Sequence, residues 1–186
     1  MSDIIMGIDP SINCTGICIQ TNSKYIYIII PSKFTKKMST IEQENLYIKP
    51  YKKLDTKDLE YMDKEVNKVE NMFNICNIIE QTIQEYGVTS VYMEGISYGS
   101  VGSAALSDLA GLNFMIRYML KKNNIPFHIV SPTSLKKFAV ANGAADKDLM
   151  IYAWQNAEPS LKGVKNIKVD DLADAYFLSN YYQNDC

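Results

Sequence analysis

Apolar residues crowd the first thirty positions of the chain and then thin out. Residues 4–9 (Ile-Ile-Met-Gly-Ile-Asp) read as a short buried strand that ends on an acid. A turn through Pro10, Ser11 and Asn13 leads to a second strand over 16–20. Asn22 and Ser23 make a tight turn into a third strand over 25–30, whose Ile and Tyr residues suit a pleated, half-buried surface. Three strands joined by short turns predict an antiparallel meander. Residues 31–59 are polar and lysine-rich with no clear period, which reads as an insertion. Helical spacing resumes at Val66, Val69, Met72, Phe73, Cys76, Ile79 and Ile83, predicting a long amphipathic helix that stops near Gly87. A buried strand over 88–93 then halts at Glu94. Residues 104–120 form a second helix with small residues on its early turns, and 126–130 another strand. Ser131-Pro132-Thr133-Ser134 is a helix-start signal. Helices over 135–140 and 146–155 follow, and a last one runs from about Asp171 to Tyr182.

This order predicts an α/β fold with a mixed five-stranded sheet. Three strands form the antiparallel meander, the later ones run parallel, and helices flank the sheet. With 186 residues, 47% of them hydrophobic, the chain can bury a substantial core, and 1–186 reads as one domain carrying an insertion around 31–60. No stretch approaches the ~18 apolar residues that a membrane span requires. The N-terminus lacks a basic, cleavable leader, so the mature protein is expected to start at Met1 and to reside in the cytoplasm. Cys14, Cys18, Cys76 and Cys186 contain no CxxC pair and read as free thiols rather than a zinc site. Arg117 is the only arginine, and abundant Lys, Asn and Ile point to an AT-rich genome such as a viral one, which would place the protein in the host cytoplasm.

The net charge of −2 argues against a simple polyanion binder. It becomes +2 once four acids are set aside as metal ligands, and lysines gather at 33–37, 49–53, 121–122, 136–137 and 162–168. Those four acids are Asp9, Glu94, Asp171 and Asp174. Asp9 and Glu94 end buried strands, where a lone carboxylate is costly unless something pairs with it. Asp171 and Asp174, at i and i+3, share one helix face. Four carboxylates converging on one pocket call for divalent counter-charge, and oxygen-only ligands favour magnesium or manganese over zinc. Each acid alone has a plainer explanation: Asp9 as a turn former before Pro10, Glu94 as a solvated acid, Asp171 as a first-turn residue favoured by the helix dipole.

Gly7-Ile8-Asp9-Pro10-Ser11 with Thr15-Gly16 resembles the opening motif of the RuvC family of Holliday junction resolvases, GIDPGxxxTG, with Ser11 where the family usually has Gly. Glu94-Gly95 sits where that family's second acid ends its central strand. Asp171-Leu172-Ala173-Asp174-Ala175 resembles its closing DxxDA helix. The segment 136–147 (KKFAVANGAADK) is similar to its lysine-bearing stretch, with Ala141 in place of the first Gly of a Gly-x-Gly-x-Ala core. The likeness spans nearly the whole chain except about 31–60. It implies an RNase H-like fold and two-metal hydrolysis of phosphodiester bonds in four-way DNA junctions, leaving 5′-phosphate and 3′-hydroxyl nicks. Asp9 would bridge two Mg2+ ions, with Mn2+ as a possible substitute, Glu94 would bind one, and Asp171 and Asp174 would complete the shells. Lys147 and Lys136 would sit near the scissile phosphate, Lys137 beside them on the DNA. Tyr98 would be the aromatic after the second acid that stacks on bases at the opened junction. Without the resemblance it reads equally as a packing tyrosine. A homodimer is implied, with no small-molecule cofactor and no membrane.

His128 lies away from the acidic motifs and reads as structural. The same metal site would serve a nuclease acting on other branched DNA or on RNA–DNA hybrids, because substrate choice lies in loops and dimer geometry. An ATP-binding fold of the actin type would need a second glycine-rich phosphate loop that the sequence lacks. A junction-binding module without activity would have no need of four intact acids.

Overall fold

A computed structural model describes residues 3–41, 43–96 and 103–184 of the chain. A mixed sheet of six strands, in the order β4-β3-β2-β1-β5-β6, forms its centre. β1 (Ile5–Asp9), β2 (Cys14–Gln20) and β3 (Tyr25–Pro31) make the antiparallel meander. β5 (Ser90–Glu94) lies parallel to β1, and β6 (Phe127–Val130) lies parallel to β5. The expected α/β class is therefore present, with one strand more than the expected five. The extra strand, β4 (Leu46–Ile48), comes from the lysine-rich excursion and pairs parallel with β3 at the sheet's edge. Main-chain bonds from Tyr27 N to Asn45 O (2.7 Å) and from Lys49 N to Ile29 O (2.9 Å) hold it there. Three residues are too few to show an alternating pattern, and an edge strand needs little side-chain burial.

Strand side chains alternate between two faces, and this alternation organises the molecule. Met6, Ile8, Ile17, Ile19, Ile28, Ile30, Val91 and Met93 share one core with α1 (Tyr61–Tyr86) and α2 (Ser103–Lys122). Ile5, Cys18, Tyr27, Ile29 and Tyr92 share the other with α3 (Pro132–Val140), α4 (Lys147–Ala157) and α5 (Val169–Asn180). Each fully buried aliphatic side chain adds roughly 1.5–3 kcal/mol of transfer free energy. Trp154 of α4 is wholly buried, donates its indole N–H to Tyr27 Oη (3.2 Å) and meets that ring edge-on.

Local signals set the helix limits. α1 stops at Gly87, whose φ of 64° closes the helix in the left-handed conformation glycine tolerates best. Ser131 and Asp146 cap α3 and α4, accepting from Ser134 N and Leu149 N. α5 is buried along nearly its whole length, which is why its sequence lacks a clear polar stripe. No helix is long and apolar enough to cross a membrane among the described residues.

Candidate active site

Strand parity brings the acids together. Asp9 follows Ile5 and Gly7 on the α5 face of β1, and Glu94 follows Tyr92 on the same face of β5. β1 and β5 are parallel neighbours, so both acids stand at the same end of the sheet. α5 crosses that face in close contact: a Cβ on Gly7 would overlap Ala175 O, and one on Gly16 would overlap Asp171 O. Because Gly16 is the cross-strand partner of Asp9, the start of α5 is seated beside Asp9. Thr15 fixes the turn between them, accepting from Ser11 N (3.1 Å) and donating to Ser11 O (2.8 Å).

Asp9, Glu94, Asp171 and Asp174 thus line one cavity of about 310 Å3, together with Lys136, Lys147, Asp146 and Asp170. Burial, then the charges of Glu94, Asp171 and Asp174, push the Asp9 carboxyl well above the usual carboxylate range. Burial first and Asp174 second push Glu94 up to about 7. Asp9 and Glu94 also interact side chain to side chain, so this buried pair binds protons together. Burial pushes Asp171 and Asp174 up to about 6, with Asp170 adding to both. The cluster stores protons where positive charge is in demand.

The lysines supply part of that charge. Lys136 draws Glu94 and Asp174 toward ionisation. Lys147 makes an ion pair with Asp170 at the cavity rim. Burial raises the Asp170 carboxyl, yet the Lys147 hydrogen bond and charge outweigh it and hold the group low. Lys137, next along α3, is exposed and does not line the cavity. Tyr98 lies outside the described residues. His128 is exposed on β6, stacked on Tyr92 at 4.5 Å, away from the acids. Cys14, Cys18 and Cys76 are free and buried.

The donor chemistry fits hard divalent cations: every ligand candidate offers oxygen. Asp171 Oδ2 is buried without a hydrogen-bond partner, the nearest cation being Lys168 Nζ at 4.0 Å. As the side chains stand, no three acidic, cysteine or histidine groups among the described residues form a closed cage for one ion. Carboxylates lacking counter-charge repel one another, and here Asp9–Glu94 and Asp170–Lys147 bonds take up some of their oxygens.

Three contributors escape sequence reasoning. Asp170 and Asp146 line the cavity, yet read locally as a first-turn acid and a helix cap. Asn113 of α2 is buried and donates from Nδ2 to the main-chain carbonyl of Glu94 (3.0 Å), pinning the end of β5. A lone Asn in an apolar helix stretch carries a signal only once its partner is known.

No protein-family model matches the chain, and no curated protein matches its sequence. Solved structures do match. RuvC of Thermus thermophilus is 14% identical, over 98% of this chain and 96% of that one, with a TM-score of 0.61. The same protein in complex with Holliday junction substrate is 12% identical over 98% and 95%, with a TM-score of 0.62. The yeast mitochondrial Holliday junction resolvase is 16% identical over 99% and 83%, with a TM-score of 0.53. At such identities the likeness is one of fold, and it extends over nearly the full length: the chain has a RuvC-like, RNase H-like fold.

Proposed function

We propose that the chain is a cation-dependent DNA endonuclease that resolves four-way junctions by paired nicks, with 1–186 acting as one nuclease domain. The observation that carries this is the convergence of Asp9, Glu94, Asp171 and Asp174 on one cavity from β1, β5 and α5. The likeness in fold to the two resolvases supports it. An acid cluster with raised proton affinities is a costly arrangement for stability alone, and such clusters concentrate at functional sites.

Two Mg2+ or Mn2+ ions, when bound, supply an activated water and stabilise charge on the departing 3′ oxygen. Asp9 lines the same cavity as Glu94, Asp171 and Asp174 and would be a ligand of the bound cations. Glu94, Asp171 and Asp174 would complete the ligand set, and Asp171 Oδ2 is buried with no hydrogen-bond partner among the described residues. Lys136 and Lys147 face the phosphate side and offset negative charge that builds at phosphorus. Asp170 keeps the Lys147 ammonium at the rim until a phosphate competes for it. Cleavage of the P–O3′ bond leaves a 5′-phosphate and a 3′-hydroxyl.

Paired cutting of a symmetric substrate calls for two sites, and we assign the apolar outer face of α1 and α2 to a second copy of the chain. Phe73, Phe114 and Tyr118 are exposed there around a groove of about 360 Å3. An exposed apolar cluster of this kind marks an interaction surface.

The test is cleavage of a synthetic four-way junction by wild type and Asp9→Asn. Symmetric Mg2+-dependent nicks are expected from wild type, with binding but no cutting by the variant. Equal activity on flaps or RNA–DNA hybrids would overturn the junction assignment while leaving the nuclease intact. Cutting by Asp9→Asn would overturn both.

A further inference from the structure

Residues 31–53 are locally basic, holding six lysines against two glutamates, although the whole chain is −2. The fold sorts that charge spatially. β3 ends and β4 ends at the same end of the sheet as Asp9, since Gly16 pairs with both Asp9 and Ile29 and Ile29 pairs with Ile48. The chain leaving β3 is tied to the β1–β2 turn by Ser32 N donating to Asn13 O (2.9 Å). The chain leaving β4 returns to the same turn: Tyr51 Oη donates to Ile12 O, and Lys53 Nζ to Asn13 Oδ1 (2.9 Å). Glu44 lies at the other end, beside the β2–β3 turn.

Lys33, Lys52 and Lys53 are therefore held around the turn that follows Asp9, with Lys53 beside Asn71 and Met72 of α1, and none of the three lines the acid cavity. All three are exposed, and none has an ion-pair partner among the described residues. Lys53 donates to the neutral amide of Asn13, with Asp55 two residues on and Asp108 across a small cavity that Lys53 also lines. Phe34 stands 52% exposed beside Lys33. Like charges gathered without counter-ions repel, and a polyanion whose charges are regularly spaced relieves that repulsion.

We infer that Lys33, Lys52 and Lys53 form a phosphate-binding shelf for the DNA arm that passes the β1–β2 turn on its way to the acid cavity. The inference rests on the nuclease assignment and gives the excursion a role: β4 anchors the segment to the sheet so that both its exits present lysines at the cutting end. The ligand is the phosphodiester backbone, so the shelf adds affinity and orientation without reading sequence.

The experiment measures junction binding by fluorescence anisotropy across a salt series in the non-cutting Asp9→Asn background. Three variants are compared: parent, K33Q/K52Q/K53Q, and K24Q/K121Q/K122Q. The last removes the same charge at the opposite end of the sheet, where the β2–β3 turn and the end of α2 lie. The shelf variant should lower the slope of log affinity against log salt by about 2 to 3, and weaken binding at about 0.1 M salt by on the order of tenfold. The matched variant should leave the slope near the parent's. An unchanged slope, or equal loss in both variants, overturns the shelf. Junction cutting by the otherwise wild-type enzyme is scored separately. Cutting with no shelf effect sinks the shelf alone, a shelf effect without cutting sinks the nuclease assignment alone, and no DNA binding at all sinks both.

Discussion

Gly16 on β2 lies so close to Asp171 on α5 that a Cβ at position 16 would overlap the Asp171 carbonyl. Asp9 is the cross-strand neighbour of Gly16, so this contact sets the separation between a strand acid and a helix acid. Gly7, two residues before Asp9, seats the next turn of α5 in the same way against Ala175 and Ser179.

Gly16→Ala should therefore lift the start of α5 from the sheet. The obstacle is backbone, which yields less than a flexible side chain, so the loss belongs at or above the usual ~1–3 kcal/mol for overpacking. For a chain of this size that lowers the melting temperature by roughly 5–10 °C. Junction cleavage should fall further than stability at temperatures where the variant is still folded. Wild-type melting by calorimetry would show that the close approach has no structural weight.

The acid cluster also sets a pH dependence. Glu94 is held up to about 7 and Asp171 and Asp174 up to about 6, above the values of roughly 4 in an unfolded chain. The folded state keeps protons that the unfolded state has already released. Stability is full below about pH 4 for these groups and declines as pH rises through about 6 to 7, by on the order of a few kcal/mol. In EDTA the melting temperature should fall between about pH 5 and about pH 8, after allowance for general acid effects on other groups. Mg2+ at about 100 times its dissociation constant should then restore ~2.7 kcal/mol at pH 8. Asp9→Asn should raise the cation-free melting temperature at pH 8 and blunt the response to Mg2+. A flat profile in EDTA, or a variant that responds like wild type, would count against the cluster as the cation site.

Much of this site was legible because its acids end or begin buried elements. The Gly-Ile-Asp ending of β1, the Glu94 ending of β5 and the i, i+3 pair on α5 each break an apolar run at a place where the chain leaves the core. Thr15-Gly16 carries its own physics, a hydroxyl closing the turn and a missing Cβ admitting α5. β4 was not legible, because a three-residue edge strand held by main-chain pairing and one buried residue, Leu46, is too short to show an alternating pattern. The first turns of α1 were hidden too, since Tyr61 and Met62 are 78% and 72% exposed and lack the apolar face that marks the rest. Lys147 could be placed near the acids from its motif, but its bond to Asp170 depends on two helices meeting.

Ala141 illustrates a departure with a measurable price. It caps α3 with φ 57°, ψ 16°, a left-handed conformation that a Cβ disfavours by roughly 1 kcal/mol. Ala141→Gly should raise the urea midpoint by an amount equivalent to about 0.5–1 kcal/mol, part of the gain being offset by the greater freedom of glycine in the unfolded chain. Lower stability in the variant would mean that the alanine methyl packs more usefully than its backbone strain suggests.

Asn113 acts on Glu94 through the main chain. Its Nδ2 holds the Glu94 carbonyl at 3.0 Å, while its Oδ1 is buried with no hydrogen-bond partner among the described residues. Asn113→Leu removes the donor and the stranded oxygen together, so stability should change little. The end of β5 is then free to shift, and supporting residues around cation ligands typically contribute 10–100-fold to affinity or activity. The Mg2+ concentration for half-maximal cleavage should rise by about that factor. A merely structural role would lower the melting temperature and leave the Mg2+ requirement untouched.

Phe114 and Tyr118 stand one helical turn apart on α2, 55% and 71% exposed, and face the same groove as Phe73 of α1. If a second copy covers this face, each ring loses its water on assembly, and aromatic residues of this kind carry much of the energy at an interface. Sedimentation equilibrium should give a dimer for wild type at micromolar concentration and a monomer for the Phe114→Asp/Tyr118→Lys double variant, whose substitutions replace exposed rings and leave both cores intact. The variant should melt within a few degrees of the dissociated wild type. Its cuts in a four-way junction should become single and unpaired, because the acid cavity of each copy is complete in itself while the pairing of nicks is not. A wild type that sediments as a monomer and still cuts in pairs would place the second site somewhere other than this face.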